Sequence, residues 1–166
     1  MRPSILSFVC ACLAAVASAA NAGAVEVRFV NTRLYTDAGN TAWEEEANLQ
    51  AIDRHLKARG QRWLPANHVL KVDVLDVDLA GAVRPFHGGG IEIRVLRGGA
   101  DFPRIHLKYT LEADGKVESS GDEWLTDLDY SGRLTGERNS GSLHYEKRMI
   151  DQWFKSRLLP GPGSAG

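Results

Sequence analysis

Four carboxylates, Asp122, Glu123, Asp127 and Asp129, crowd one short stretch beside Trp124 and Tyr130. Two carboxyl groups that flank a scissile bond can act as acid and base, as in glycoside hydrolysis. Spacing along a chain does not fix the separation such chemistry demands, and the same residue types form a polar rim where a strand ends. The stretch therefore reads as a ligand or partner rim made of Asp122, Glu123, Asp127 and Tyr130, with no catalytic residue assigned. Hydrolysis by carboxylates of residues 121–130 is the alternative.

Other candidate chemistry is weaker. Asp73, Asp76 and Asp78 supply oxygens of the kind that hard cations prefer, but in a regular strand Asp73 points away from the other two. A bulge near Leu75 would bring them together. His55, His68, His87, His106 and His144 are scattered, with no pair spaced to bind a metal from one helix. His87-Gly88-Gly89-Gly90 spells the oxyanion loop of some esterases, yet the Gly-x-Ser-x-Gly elbow which that chemistry needs is missing from the sequence. Neither a metal nor a cofactor is expected.

The first residues have a different character. Arg2 precedes an uncharged run over 5–20, and Ala17-Ser18-Ala19 offers the small-x-small site of a signal peptidase. Residues 1–19 read as a signal peptide, with cleavage possible up to 24, so the expected location is outside the cytoplasm, in the periplasm. Both cysteines, Cys10 and Cys12, fall inside that segment. After cleavage, no other apolar run reaches membrane-spanning length. With 20 Lys plus Arg against 21 Asp plus Glu, the chain lacks the cationic excess from which nucleic-acid binding draws affinity, so no nucleic-acid partner is expected.

The elements that must position these residues are legible as periodicities. Val25-Glu26-Val27-Arg28-Phe29-Val30 alternates as a strand does. Thr41, with Glu44 three residues on, begins a helix whose Leu49, Ile52 and Leu56 share a face, with Trp43 near its start and Gly60 as a left-handed cap. Residues 68–79 form a strand whose apolar frame changes near Val74-Leu75, the mark of a bulge, a twist or burial on both faces. A loop over 81–90 leads to a strand at 91–95 with its apolar side toward the core. Asp114-Gly115 joins two alternating runs as a type I′ hairpin turn. A long loop follows over 126–141, with 133–142 its mobile part. The last helix, 143–158, buries Tyr145, Met149, Trp153 and Ile150 and turns Glu146, Lys147, Arg148 and Asp151 to water. All four tryptophans read as packing residues. The order β-α-β-β-β-β-α argues for a two-layer α+β domain over 25–159, with a disordered tail over 160–166. Its sheet would be four- or five-stranded and mostly antiparallel, with both helices on one face.

Residues 25–31, Leu64-Pro65, the runs 70–81 and 120–130, and the closing Tyr145-Glu146-Lys147-Arg148-Met149-Ile150-Asp151-Gln152-Trp153-Phe154 resemble the bacterial domain of unknown function numbered 3016. The resemblance covers nearly all of the expected mature chain and implies an exported, single-domain protein of Gram-negative bacteria. It carries no catalytic role onto any residue. The expectation is a periplasmic, non-enzymatic protein that binds a protein or small-molecule partner or serves an envelope structure.

Overall fold

Alternation of apolar and charged residues sets the first strand, β1 (Ala24–Phe29), which lies parallel to β2 (His68–Asp78) with Ala24 opposite Val69 and Phe29 opposite Val74. A parallel pair needs a crossover, and α1 (Ala42–Trp63) supplies it. The sheet order is β1-β2-β5-β6, with β5 (Arg104–Ala113) and β6 (Lys116–Thr126) added antiparallel. Two further strands, β3 (Ala82–Pro85) and β4 (Glu92–Val95), form a separate hairpin. The last helix, α2 (His144–Trp153), continues through a π turn, Phe154–Leu158. This computed structural model describes residues 22–86, 92–97, 99–130, 132 and 143–159. The expected signal peptide, the glycine run at 88–90, the stretch 133–142 and the tail 160–166 lie outside the described residues.

The α+β architecture holds, with refinements. The main sheet has four strands and is mixed, because its β1-β2 pair is parallel. The strand expected at 91–95 joins the hairpin instead of the main sheet, paired with Ala82–Pro85, where a loop was expected. Ile93 is accordingly 40% exposed. Nothing in Ala82-Val83-Arg84-Pro85 alternates clearly, so its extended form depends on its partner strand.

Thr41 Oγ1 accepts from the Glu44 N–H at 3.2 Å and caps α1 as expected, while Glu44 Oε2 accepts from the Asn40 N–H at 2.9 Å. Leu49, Ile52 and Leu56 are buried, but Trp43 is 76% exposed and belongs to no core. Gly60 does not end the helix, which runs on to Trp63 and is capped at Leu64. A Cβ at Gly60 would collide with Val25, so the residue serves close approach of α1 to β1, a different use of glycine from the left-handed cap.

One core cluster joins Val25 of β1, Leu70, Val72, Val74 and Val77 of β2, alternate residues of β5, Leu49, Ile52 and Leu56 of α1, and Met149, Ile150, Trp153 and Phe154. Both helices thus cover the same face. The register shift between Val74 and Asp76 leaves Leu75 as the extra residue, and this bulge restores Val77 and Leu79 to the side that Val72 and Val74 occupy. Tyr35 clips the following turn to the sheet: its hydroxyl donates to the Val74 carbonyl at 2.7 Å and accepts from the Val30 N–H at 3.1 Å. Burial pushes that hydroxyl up to about 12.

The hairpin between β5 and β6 matches expectation, with Ile105 opposite Leu125 and Ala113 opposite Lys116. Asp114 and Gly115 both have positive φ, 50° and 74°. A Cβ at Gly115 would meet no atom of the described residues within 4 Å, so substitution there tests backbone strain. Gly115→Val is expected to destabilise the fold by about 1 kcal/mol or more in chemical denaturation. A variant as stable as the parent would show that the turn tolerates a β-branched residue.

Candidate functional site

Asp122, Glu123 and Asp127, which drew attention in the sequence, do not gather. Along β6, Asp122 and Glu123 point to opposite faces. Asp122, on the open face, takes a hydrogen bond from His106 Nε2 at 2.6 Å and an ion pair from Lys108 Nζ at 3.3 Å. The His106 contact holds its carboxyl below the ordinary range, helped by Lys108. Glu123 faces the helices, 3.3 Å from Arg157 Nε. Asp127 is buried, and Arg148 Nη2 donates to its Oδ2 at 2.7 Å and to the Tyr130 carbonyl at 3.0 Å. Tyr130 is fully buried and packs edge-on against Tyr145, ring centres 4.8 Å apart. Asp127 and Tyr130 therefore hold the chain against α2, whereas Asp122 and Glu123 lie apart from them and from each other. Trp124 is 52% exposed and stacks on His106 at 4.5 Å, a second tryptophan outside the core.

The bulge at Leu75 does place Asp73, Asp76 and Asp78 on one face, correcting the simple strand reading, but each carboxylate is separately engaged. Asp73 receives two bonds from Arg28, Asp76 receives the Thr36 N–H and hydroxyl at 2.7 Å each, and Asp78 is bound by Arg104. Among the described residues no group of three His, Cys, Asp or Glu side chains is arranged to hold a metal ion. His55 lies between the helices with Nε2 2.7 Å from Asp151 Oδ1. Burial lowers its pKa against the opposing effect of that carboxylate.

Polar groups do converge at a different place. A cavity of about 400 Å³ opens between the start of α1, the β3-β4 hairpin and the first turn of α2. Asn48, Leu79, Glu92, Arg94, His144 and Glu146 are among the residues that line it. Asp37 is pinned to the end of β2, since its N–H donates to the Val77 carbonyl at 2.9 Å and its carbonyl accepts from the Leu79 N–H at 3.0 Å. Its carboxylate meets Arg94 with two bonds of 2.8 Å, which ties the hairpin to the sheet. Asn48 Nδ2 donates to the Ala38 carbonyl at 2.9 Å, fixing the opposite wall.

Glu146 is the residue that sequence reasoning misplaced most. It is 2% exposed, and its Oε1 accepts from the Ala80 N–H at 2.8 Å. The signal was present: Glu146 precedes Met149 by three positions and Ile150 by four, so it shares the buried stripe. Asp151 and Arg148 likewise turn from water toward partners, His55 and Asp127.

Burial raises the Glu146 carboxyl above its ordinary value of 4.5, opposed by the Ala80 N–H and by Arg94. The folded chain thus holds this proton more tightly than the unfolded chain does. Its ionised form costs stability once pH passes 4.5 and climbs through the raised folded value. Glu146→Gln keeps an acceptor for Ala80 and is expected to melt a few degrees above the parent at pH 7, the gap closing below pH 4.5. A lower melting temperature for the variant at pH 7 would mean that the fold requires the charge.

No helix among the described residues is long and apolar enough to cross a membrane. No curated protein and no solved structure matches this chain. A family model described as "Protein of unknown function (DUF3016)" does match, over residues 23–156. That span runs from β1 to the end of α2 and into the π turn that follows, and the chain therefore belongs to the DUF3016 family.

Proposed function

We propose that the protein is an exported, periplasmic, non-enzymatic binding protein whose small polar ligand occupies the cavity between α1, the β3-β4 hairpin and α2. The observation that carries this reading is the convergence of Asn48, Glu92, Arg94, His144 and Glu146 on one concave space, beside apolar Leu79 and Leu96. The charge of Arg94 is matched by Asp37, which leaves the carboxylates of Glu44, Glu92 and Glu146 to set the sign of the lining. A ligand rich in hydrogen-bond donors, or cationic, fits this lining better than an anion. The hydrolytic alternative gains no support from Asp122, Glu123 and Asp127, because each already holds a different cation.

A thermal-shift panel of polar small molecules of both charge signs tests the reading. Cationic and donor-rich members are expected to stabilise the protein, and Glu92→Ala, on the exposed rim of the cavity, is expected to weaken the shift. No stabilisation by any member, or shifts unchanged in Glu92→Ala, would remove the cavity as the binding site. Crosslinking and recovery from intact cells, with periplasmic and cytoplasmic fractions compared, tests the location separately.

A further inference from the structure

The sheet has two outer strands, β1 and β6. β1 keeps an unbroken register with β2 along its whole length, whereas β6 is interrupted by a register shift opposite Leu111 and Glu112. In β1, Val25 is buried and Val27 and Phe29 pack against the core, while Glu26 and Arg28 face outward. Beside its free edge runs a groove of about 570 Å³, with Val27, Phe29 and Leu49 among its apolar lining.

Rotated about a two-fold axis through Val27, this strand is its own complement. Val25 comes opposite Phe29, Glu26 opposite Arg28, and Val27 opposite itself. Directly opposed residues of antiparallel strands share a face, so the apolar pairs fall on the helix side, above the groove, and the charge pairs on the open side. Glu26 lies opposite Lys71 and feels its charge, but the Lys71 ammonium makes its direct ion pair with Glu112, and Arg28 holds Asp73 at 2.5 Å. The other edge lacks this symmetry: Lys116 is the single cation of β6 against Glu118, Asp122 and Glu123.

We infer that two copies of this chain pair antiparallel through β1, centred on Val27, so that the four-stranded sheet of one copy continues into that of the other. Such an interface is isologous and closes on itself. Each copy contributes one Glu26 and one Arg28, and each pair gives Glu26 a cation across the dyad in addition to the field of Lys71 within its own chain. The outward charges also discourage edge pairing with strands that lack the complementary pattern.

Molar mass in solution, by sedimentation velocity or light scattering on the protein as purified from its host, tests the inference. The parent is expected at twice the chain mass. Glu26→Arg sets two like-charged pairs across the dyad and is expected to weaken the dimer by about tenfold or more, with circular dichroism unchanged. Lys116→Glu, on β6, is expected to leave the dimer intact. Mixing Glu26→Arg with Arg28→Glu recreates opposite charges and is expected to restore the double mass. A parent of single-chain mass at its highest soluble concentration overturns the inference. So does a Glu26→Arg variant that dimerises as tightly as the parent.

Discussion

Trp153→Ala is expected to lower the free energy of unfolding by about 3 to 5 kcal/mol, a large part of the stability of a domain this size. Trp153 is 5% exposed and meets Tyr109 edge-on at 5.4 Å and Phe154 at 5.3 Å, while Phe154 in turn meets Trp63 at 5.8 Å. Removing the indole therefore opens a cavity at the point where α2, β5 and α1 come together. Among the described residues its buried Nε1–H has no partner, so part of what the ring gains by burial is already offset. Trp153→Phe, which deletes that orphan donor and keeps most of the apolar surface, is expected to cost much less than the alanine change. Gln152→Ala, next door but exposed, should stay within about 0.5 kcal/mol. Denaturant titration of the three variants decides the matter, and equal midpoints for Trp153→Ala and Gln152→Ala would mean that α2 does not hold the fold.

Arg148→Ala is the second large effect, about 3 kcal/mol or more, because it strands a buried carboxylate. The side chains of Arg148 and Asp127 are only 16% and 6% exposed, and the guanidinium also serves the Tyr130 carbonyl. The loss should come mostly from leaving Asp127 alone, so Asp127→Ala combined with Arg148→Ala is expected to cost clearly less than the two single changes added together. Strict additivity in that double-mutant cycle would show that the two groups do not depend on each other.

What could be read from the sequence was what is local. Asp114-Gly115 specified its hairpin because both positive-φ positions are adjacent in the chain, and the change of apolar frame at Val74-Leu75 marked a bulge that the β5 pairing bears out. Thr41 and Glu44 marked the start of α1 for the same reason. Residue type misled where burial goes against it. Trp43 and Trp124 are exposed, whereas Asp127 and Glu146 are buried, and polarity alone foretells neither a buried ion pair nor a main-chain partner such as Ala80. The cavity was illegible for another reason: Asn48, Arg94 and Glu146 come from three distant segments, and only the packed hairpin brings them to one space. The clustered acids at 122–129 were conspicuous because they are close in sequence, and the pleat of β6 then sent neighbours to opposite faces.

The parallel pairing of β1 with β2 also sets an order of events in time. The strands β5 and β6 are joined by a two-residue turn, so their ladder closes within microseconds once both are present. Ala24 must instead find Val69 across the whole of α1, and loop closure has to be met before any contact repays it. Pulse-labelled amide exchange during refolding should accordingly protect β5 and β6 before β1. The strand that leaves the ribosome first is then the last to be zipped into the sheet.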